Sequence, residues 1–166
     1  WAYQQLGIAP DVVAFGKKTQ VCGVMAGGRV DEVPQNVFAV SSRINSTWGG
    51  NLTDMVRARR IFEVIESEGL IERAATLGSH LLEGLRSLGA KHDVISEVRG
   101  RGLMCAFTLP SAELRNAVIT RLREDERVLV LGCGASSLRF RPALTVSADE
   151  LDRGIAAIDR VLSSLV

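Results

Sequence analysis

Two helical stripes run one after the other through the middle of this 166-residue chain, and they decide how the rest can fold. Met55, Ala58, Phe62 and Ile65 recur at helical spacing, and Ile71, Ala74, Gly78, Leu81, Leu85 and Leu88 repeat every three or four residues. An apolar stripe of that width needs a surface to lie on. Strand-like runs stand on both sides to provide it. Residues 12–15, 20–25 and 37–40 read as strands broken at Gly16, Gly27 and Gly28, and 41–51 is a polar loop with no period. Gly89 stands just past the second stripe, where a left-handed C-cap is expected. Beyond it the texture changes to short alternating elements. Strands are expected at 94–98 and 103–109 around a Gly-Arg-Gly turn, a helix capped by Ser111 should run to about Arg123, and strands at 128–131 and 138–140 flank the glycine-rich 132–134. Ser147 with Glu150 forms a capping box, and Leu151, Ile155, Ile158, Leu162 and Leu165 line one face of the helix it opens. The change of texture places a domain boundary in the helical segment near residue 67, in a chain of α/β class.

Composition removes several kinds of function. With 20 basic against 19 acidic side chains there is no electrostatic footprint for nucleic acid or for an anionic membrane. At 5% aromatic residues there is little material for stacking on bases. No apolar run approaches the ~20 residues a bilayer needs, so no membrane partner is expected. Cys22, Cys105 and Cys133 form an odd, widely spaced set without a CxxC pair, which fits a reducing compartment rather than a disulfide framework or a zinc site. No signal-peptide pattern opens the chain, and a cytoplasmic location is expected.

Three places carry chemical promise. Only three lysines occur, against 17 arginines, and two of them stand together as Lys17-Lys18 after an apolar strand and a glycine. The ordinary fate of such a pair is a solvated strand end. The chemical alternative is a lysine projecting into a cleft, where burial would disfavour the ammonium form and leave an amine that attacks carbonyls. Asn45-Ser46-Thr47-Trp48-Gly49-Gly50-Asn51 sets hydroxyls and glycines directly before a helix, which serves as a plain N-cap loop or as a phosphate site. In Leu138-Arg139-Phe140-Arg141-Pro142 the two arginines share one strand face. An arginine inside an apolar strand signals an ion pair or a two-pronged carboxylate contact, and an unremarkable edge-strand arginine fits the pattern equally. His80 and His92 read as surface or helix-end residues without a catalytic partner, and no metal site is expected. Neither Cys22-Gly23 nor Cys133-Gly134 has a histidine nearby, which argues against a thiol nucleophile.

Taken in order, these sites resemble the class III (omega-amino-acid) aminotransferases. Pro10-Asp11-Val12-Val13-Ala14-Phe15-Gly16-Lys17 is similar to the family's strand leading to its Schiff-base lysine. Ser46-Thr47-Trp48-Gly49-Gly50-Asn51 resembles its phosphate loop, Val98-Arg99-Gly100-Arg101-Gly102-Leu103-Met104 the turn opening its small domain, and Leu138-Arg139-Phe140-Arg141-Pro142-Ala143-Leu144 its carboxylate-binding strand. The resemblance implies the C-terminal portion of a pyridoxal 5'-phosphate-dependent transferase type I fold. Residues 1–67 would be the end of the cofactor-binding large domain with the start of the interdomain helix, and 68–166 a small α+β C-terminal domain. It implies Lys17 as the catalytic residue and cofactor anchor, Thr47 and Ser46 as cofactor contacts, and Arg139 and Asn45 as substrate contacts. Adjacent strand residues point to opposite faces, so one lysine of the pair reaches the cofactor, and the family's Gly-Lys step picks Lys17. Lys17-Lys18-Thr19-Gln20 with Asn45-Ser46-Thr47-Trp48 is most similar to the members that act on lysine. Substrates are then L-lysine and 2-oxoglutarate, in a homodimer whose partner subunit receives Thr47. Ornithine, acetylornithine or 4-aminobutyrate as donor, or a non-catalytic module, are the alternatives. The family's glycine-rich loop, ring-stacking aromatic and pyridine-nitrogen aspartate would precede Trp1, so this chain alone is expected to be inactive.

Overall fold

The computed structural model describes residues 1–44, 47 and 49–166. The chain divides into two compact units, Trp1–Ser67 and Glu68–Val166. Among the described residues no helix is long and apolar enough to cross a membrane.

The first unit holds a short helix α1 (Ala2–Gln5), an antiparallel hairpin of β1 (Val12–Phe15) and β2 (Gly23–Ala26), and helix α2 (Leu52–Ser67). Strand β2 starts later than the apolar run suggests, because Lys17–Thr19 turn as a single 3-10 helix. Gln20 closes that turn in the left-handed region, at φ 62°, its N–H donating to the Lys17 carbonyl at 3.0 Å. The hairpin register sets Phe15 opposite Gly23. The ring covers the glycine so closely that a Cβ there would stand 2.5 Å from it, an aromatic shielding an otherwise bare backbone. Trp1 meets Phe15 edge-on with ring centroids 5.7 Å apart and lies 6.3 Å from Phe62 of α2, so three aromatics tie the hairpin to the helix.

The strand expected at 37–40 does not form; those residues turn instead. Asn36 is the cause. Its Oδ1 accepts from the N–H groups of Phe38 and Ala39 at 2.9 and 3.0 Å, and its Nδ2 donates to the carbonyls of Val30 and Val33 at 3.2 and 2.9 Å. A side chain that satisfies four backbone groups locally outcompetes a ladder.

The second unit is a four-stranded antiparallel sheet under three helices. Helix α3 (Leu70–Lys91) is followed by β3 (Ser96–Arg101), β4 (Met104–Thr108), α4 (Ala112–Glu124), β5 (Leu131–Cys133), β6 (Ser137–Phe140) and α5 (Ala148–Leu165), with strand order β3-β4-β6-β5. Helix α3 lies against β3 and β4, α4 against β5 and β6, and α5 packs on both helices. The predicted stripe of α3 delivers Leu81, Leu85 and Leu88 to the core, although Leu70 rather than Ile71 is buried at its start. They meet Cys105 and Phe107 of β4, Leu138 of β6, Val118 and Leu122 of α4, and Ile158 and Leu162 of α5. Each fully buried leucine or phenylalanine there contributes roughly 1.5–3 kcal/mol. Both predicted caps form: Ser111 Oγ accepts from Leu114 N–H at 3.2 Å, and Ser147 Oγ accepts from Glu150 N–H at 3.2 Å while the Glu150 carboxylate takes the Ser147 N–H at 2.8 Å. The Ser147 N–H, and the Ser147 hydroxyl after it, donate to the Glu150 carboxyl and hold it below its usual range.

Gly89 does not cap α3, which continues to Lys91. Ala90 and Lys91 are good helix formers, and nothing at Gly89 forces a left-handed turn. The glycine-rich stretch 132–134 is divided between strand and turn, with Gly132 inside β5, where a Cβ would stand 2.7 Å from the Arg115 guanidinium.

The histidines are not the unpartnered residues the sequence suggests. His80 Nε2 meets Asp152 Oδ1 at 2.6 Å, and His92, which is buried, meets Asp159 Oδ1 at 2.6 Å; both pairs join α3 to α5. Lys91 Nζ takes the other Asp159 oxygen at 2.6 Å. Lys91 first, and His92 after it, hold the Asp159 carboxyl below its ordinary value. A depressed carboxyl stabilises the fold above its unfolded value of about 4, and that stability is lost as pH falls through the folded value. Asp159→Asn is therefore expected to cost roughly 1 kcal/mol near pH 7, the scale of a partly exposed ion pair, and to flatten the loss of melting temperature between neutral and acid pH. Parallel melting curves that keep the same spacing from pH 7 down to pH 3 would contradict the assignment.

Candidate active site

Lys17 is set by a tightly determined turn. Strand β1 ends at Phe15, and Gly16 runs extended, with the Cys22 thiol across it so closely that a Cβ on Gly16 would stand 2.8 Å from the sulfur. Lys17 then adopts φ 58°, a left-handed backbone that costs an L-residue with a side chain roughly 1–2 kcal/mol. Strain of this kind persists only where the surroundings impose it, and it concentrates at functional positions. Lys17 and Lys18 do not alternate across a strand; both lie in the 3-10 turn, where successive side chains splay by about a third of a revolution. The amine of Lys17 is exposed in this unit and has no hydrogen-bond partner among the described residues. Unit 1 therefore does not supply the desolvation expected of it.

The loop before α2 is described in part. Asn45, Ser46 and Trp48 lie outside the described residues. Thr47 stands in a turn, exposed, its hydroxyl without a partner among the described residues. The helix start itself is capped by Asn51, whose Oδ1 accepts from the Asp54 N–H at 3.2 Å. Asn51 thus occupies the N-cap role, and the Thr47 hydroxyl is not needed for it.

Arg139 lies on β6 with Ala106 of β4 directly opposite, on the sheet face turned away from the helices. Its Nε is buried and, among the described residues, has no acceptor. A buried unpaired guanidinium nitrogen is costly, so the position calls for an anionic partner. Arg141 does not share the strand with it: β6 ends at Phe140, and Arg141 is exposed beyond the end.

Beside Arg139 is a polar cluster that sequence reasoning missed. Arg99 Nη1 donates to the Glu97 carbonyl at 2.7 Å and to Thr108 Oγ1 at 3.1 Å, and Nη2 donates to Ser137 Oγ at 3.1 Å. Thr108 Oγ1 donates to Glu97 Oε2 at 2.9 Å and lies 2.9 Å from Ser137 Oγ. The cluster depends on an irregularity in β3 between Ser96 and Arg99, with Glu97 at φ 48°, which re-aims the side chains. No periodicity announces a bulge. Cys105 is buried, which pushes its thiol up and makes it packing material rather than a nucleophile.

The first unit thus presents an exposed amine on a strained turn and an exposed hydroxyl before a helix, and the second a buried guanidinium Nε without an acceptor among the described residues. A family model described as aminotransferase class-III matches residues 1–162. The chain belongs to the class III aminotransferase family. Over 163 residues it is 63% identical to the L-lysine-epsilon aminotransferase of Mycobacterium tuberculosis, covering 98% of this chain and 36% of that protein. Over 165 residues it is 57% identical to the L-lysine-epsilon aminotransferase of Amycolatopsis lactamdurans, covering 99% of this chain and 37% of that protein. Among solved structures it matches the lysine aminotransferase from M. tuberculosis in the internal aldimine form, with a TM-score of 0.94 and 60% identity, over 100% of this chain and 38% of that one. The chain thus spans little more than a third of the aminotransferases it matches, and it has the mixed helix and sheet fold of that part.

Proposed function

We propose that this chain works within a longer L-lysine 6-aminotransferase, which moves the terminal amino group of L-lysine to 2-oxoglutarate and yields the 6-semialdehyde and L-glutamate. One observation carries the reading: the high identity, across nearly the whole chain, to two aminotransferases named for lysine. In this reading residues 1–67 end the large domain and begin the interdomain helix, and 68–166 form the small domain. The enzyme is a cytoplasmic homodimer.

The residues present fit pyridoxal 5'-phosphate. Among the described residues, Lys17 offers an amine without a competing partner and Thr47 a hydroxyl without one. Lys17 would hold the cofactor's aldehyde carbon, and Thr47 would hold the phosphate of the cofactor in the partner subunit. Ser46 is proposed as a second phosphate contact and Asn45 as a substrate contact. When bound, the cofactor supplies the electron sink that the reaction needs. The remainder of the enzyme would desolvate Lys17. Its Nζ would take the proton from the amine-bearing carbon and hold it for return. Arg139 grips the carboxylate beside the reacting carbon of 2-oxoglutarate through two parallel hydrogen bonds, which gives its buried Nε an acceptor. Lysine reacts at its far end, where there is no carboxylate, so Arg139 then needs a movable acid from outside this chain.

Ornithine is one methylene shorter than lysine, a difference worth roughly 10–200-fold in a fitted pocket. With 2-oxoglutarate as acceptor, kcat/KM for L-lysine is expected to exceed that for ornithine, acetylornithine and 4-aminobutyrate by about tenfold or more. Glutamate formation measured with each donor decides it, and any other donor matching lysine overturns the assignment.

A further inference from the structure

We propose that Arg99 is a positioning residue for the carboxylate anchor: it holds Glu97 away from Arg139 so that the anchor stays open to substrate. The proposal rests on the reading of Arg139 as that anchor. Among the described residues, the four strands of the second unit carry one acidic side chain, Glu97, and three arginines, Arg99, Arg101 and Arg139. Arg99 and Arg139 stand in one cross-strand row on either side of Ala106, since Arg99 pairs with Ala106 and Ala106 with Arg139. Ala106 between them presents only a methyl group to that face. The question is which arginine takes Glu97.

The proton count answers it. A carboxylate only accepts, so the Thr108 hydrogen goes to Glu97 Oε2, and the contact between Thr108 and Ser137 has Ser137 as donor. Thr108 Oγ1 then accepts from both Ser137 and Arg99 Nη1, and its two lone pairs are filled. Ser137 Oγ accepts from Arg99 Nη2. Arg99 therefore closes a ring that fixes the Thr108 hydrogen on Glu97 and, with its Nη1 3.7 Å from Glu97 Oε2, supplies that carboxylate's counter-charge. Ser137 stands two residues before Arg139 on the same strand face, about 7 Å away along the strand. Without Arg99, Glu97 keeps one neutral hydroxyl, that of Thr108, whose cross-strand partner Ser137 is two residues from Arg139, and the Arg139 Nε has no acceptor among the described residues. An ion pair between Glu97 and Arg139 would satisfy both, and it would compete with the substrate carboxylate.

The test uses the full-length holoenzyme, with the KM for 2-oxoglutarate, single-turnover rates of both half-reactions and melting temperature as readouts. Arg99→Gln is expected to raise the 2-oxoglutarate KM about fivefold, the effect of one competing ion pair of partial exposure, and to slow the lysine half-reaction far less. The double variant Arg99→Gln with Glu97→Gln removes the competitor and is expected to bring KM back within about 1.5-fold of the parent. Recovery on removing a second group is something a purely structural role for Arg99 would not produce. Thr108→Val, which releases the Glu97 carboxylate while keeping Arg99, moves KM in the same direction and serves if Arg99→Gln does not fold. Arg139→Ala is the reference. If it raises the 2-oxoglutarate KM while Arg99→Gln and Thr108→Val do not, or if the double variant fails to recover, the positioning role is overturned and the anchor stands. If Arg139→Ala leaves that KM unchanged, the anchor reading falls, and this inference falls with it.

Discussion

Lys17→Ala in the full-length enzyme is expected to lower turnover by about ten-thousand-fold or more, because one substitution removes both the group that holds the cofactor and the group that moves the proton. Lys18→Ala, one residue on, is expected to stay within about threefold, as for a surface change away from the reacting atoms. The geometry sharpens the contrast. Both lysines lie in one 3-10 turn and both are exposed in this unit, yet Lys17 alone of the two has a left-handed backbone, at φ 58°. Glycine adopts that conformation without the cost a side chain brings. Lys17→Gly should therefore abolish turnover while leaving the melting temperature equal or higher, the pattern expected where backbone strain is kept for function. Borohydride reduction of the holoenzyme followed by peptide mapping should leave the cofactor on Lys17. A label on Lys18, or a Lys17→Ala enzyme that keeps a few per cent of parental turnover, would refute the assignment.

What the sequence made legible was local. The apolar run of β1, the stripes of α3 and α5, and the caps at Ser111 and Ser147 all depend on residues within one or two turns of each other, and apart from the first residue of the α3 stripe each appears where the pattern puts it. The placement of Arg139 off the core face was legible for the same reason: a charged residue at one parity of an apolar run must face a different environment from its neighbours. The losses have nonlocal causes. Asn36 overrides the strand preference of the residues after it by binding backbone groups on both sides. His80 and His92 pair with Asp152 and Asp159, 72 and 67 residues away, where no spacing rule reaches. Cross-strand pairs do follow from register, but the bulge at Glu97 shifts β3 against β4, so the cluster of Arg99, Thr108 and Ser137 was invisible until the strands were paired. Lys17 lies between these cases. Its place after β1 was readable, whereas its 3-10 turn and left-handed backbone follow from the Gln20 closure and the Cys22 thiol packed on Gly16.

Gly78 reads in the sequence as one more small member of the α3 stripe, and its substitution gives the largest expected loss of stability. Inside a helix, alanine is favoured over glycine by about 1 kcal/mol, so propensity alone predicts that Gly78→Ala stabilises. Packing opposes it. A Cβ at Gly78 would stand 2.2 Å from both the carbonyl carbon and the oxygen of Gly102, and 2.5 Å from its Cα. Those are backbone atoms of the tight turn joining β3 to β4, and they have little room to yield. Gly102 is held at φ 53° between the paired residues Arg101 and Met104. The next residue, Leu103, is buried in the core, and the Cys105 thiol donates to the Gly102 carbonyl at 3.4 Å. Moving the turn by an ångström would unseat both, whereas moving α3 would disturb Leu81, Leu85 and Leu88. Overpacking against fixed neighbours costs 1–3 kcal/mol and more when backbone must shift, so the net effect of Gly78→Ala is expected to be a loss of at least about 3 kcal/mol. For a chain of this size that lowers the melting temperature by about 10 °C. Gly89, eleven residues later on the same helix, provides the opposite sign. A Cβ there would meet Ile95 Cγ2 at 3.5 Å, an ordinary contact. Propensity then prevails, and Gly89→Ala is expected to stabilise by roughly 0.5–1 kcal/mol. Melting curves of the two variants measured side by side should move in opposite directions from the parent. A Gly78→Ala protein that melts at or above the parent would mean that α3 and the β3–β4 turn do not cross as closely as the fold requires.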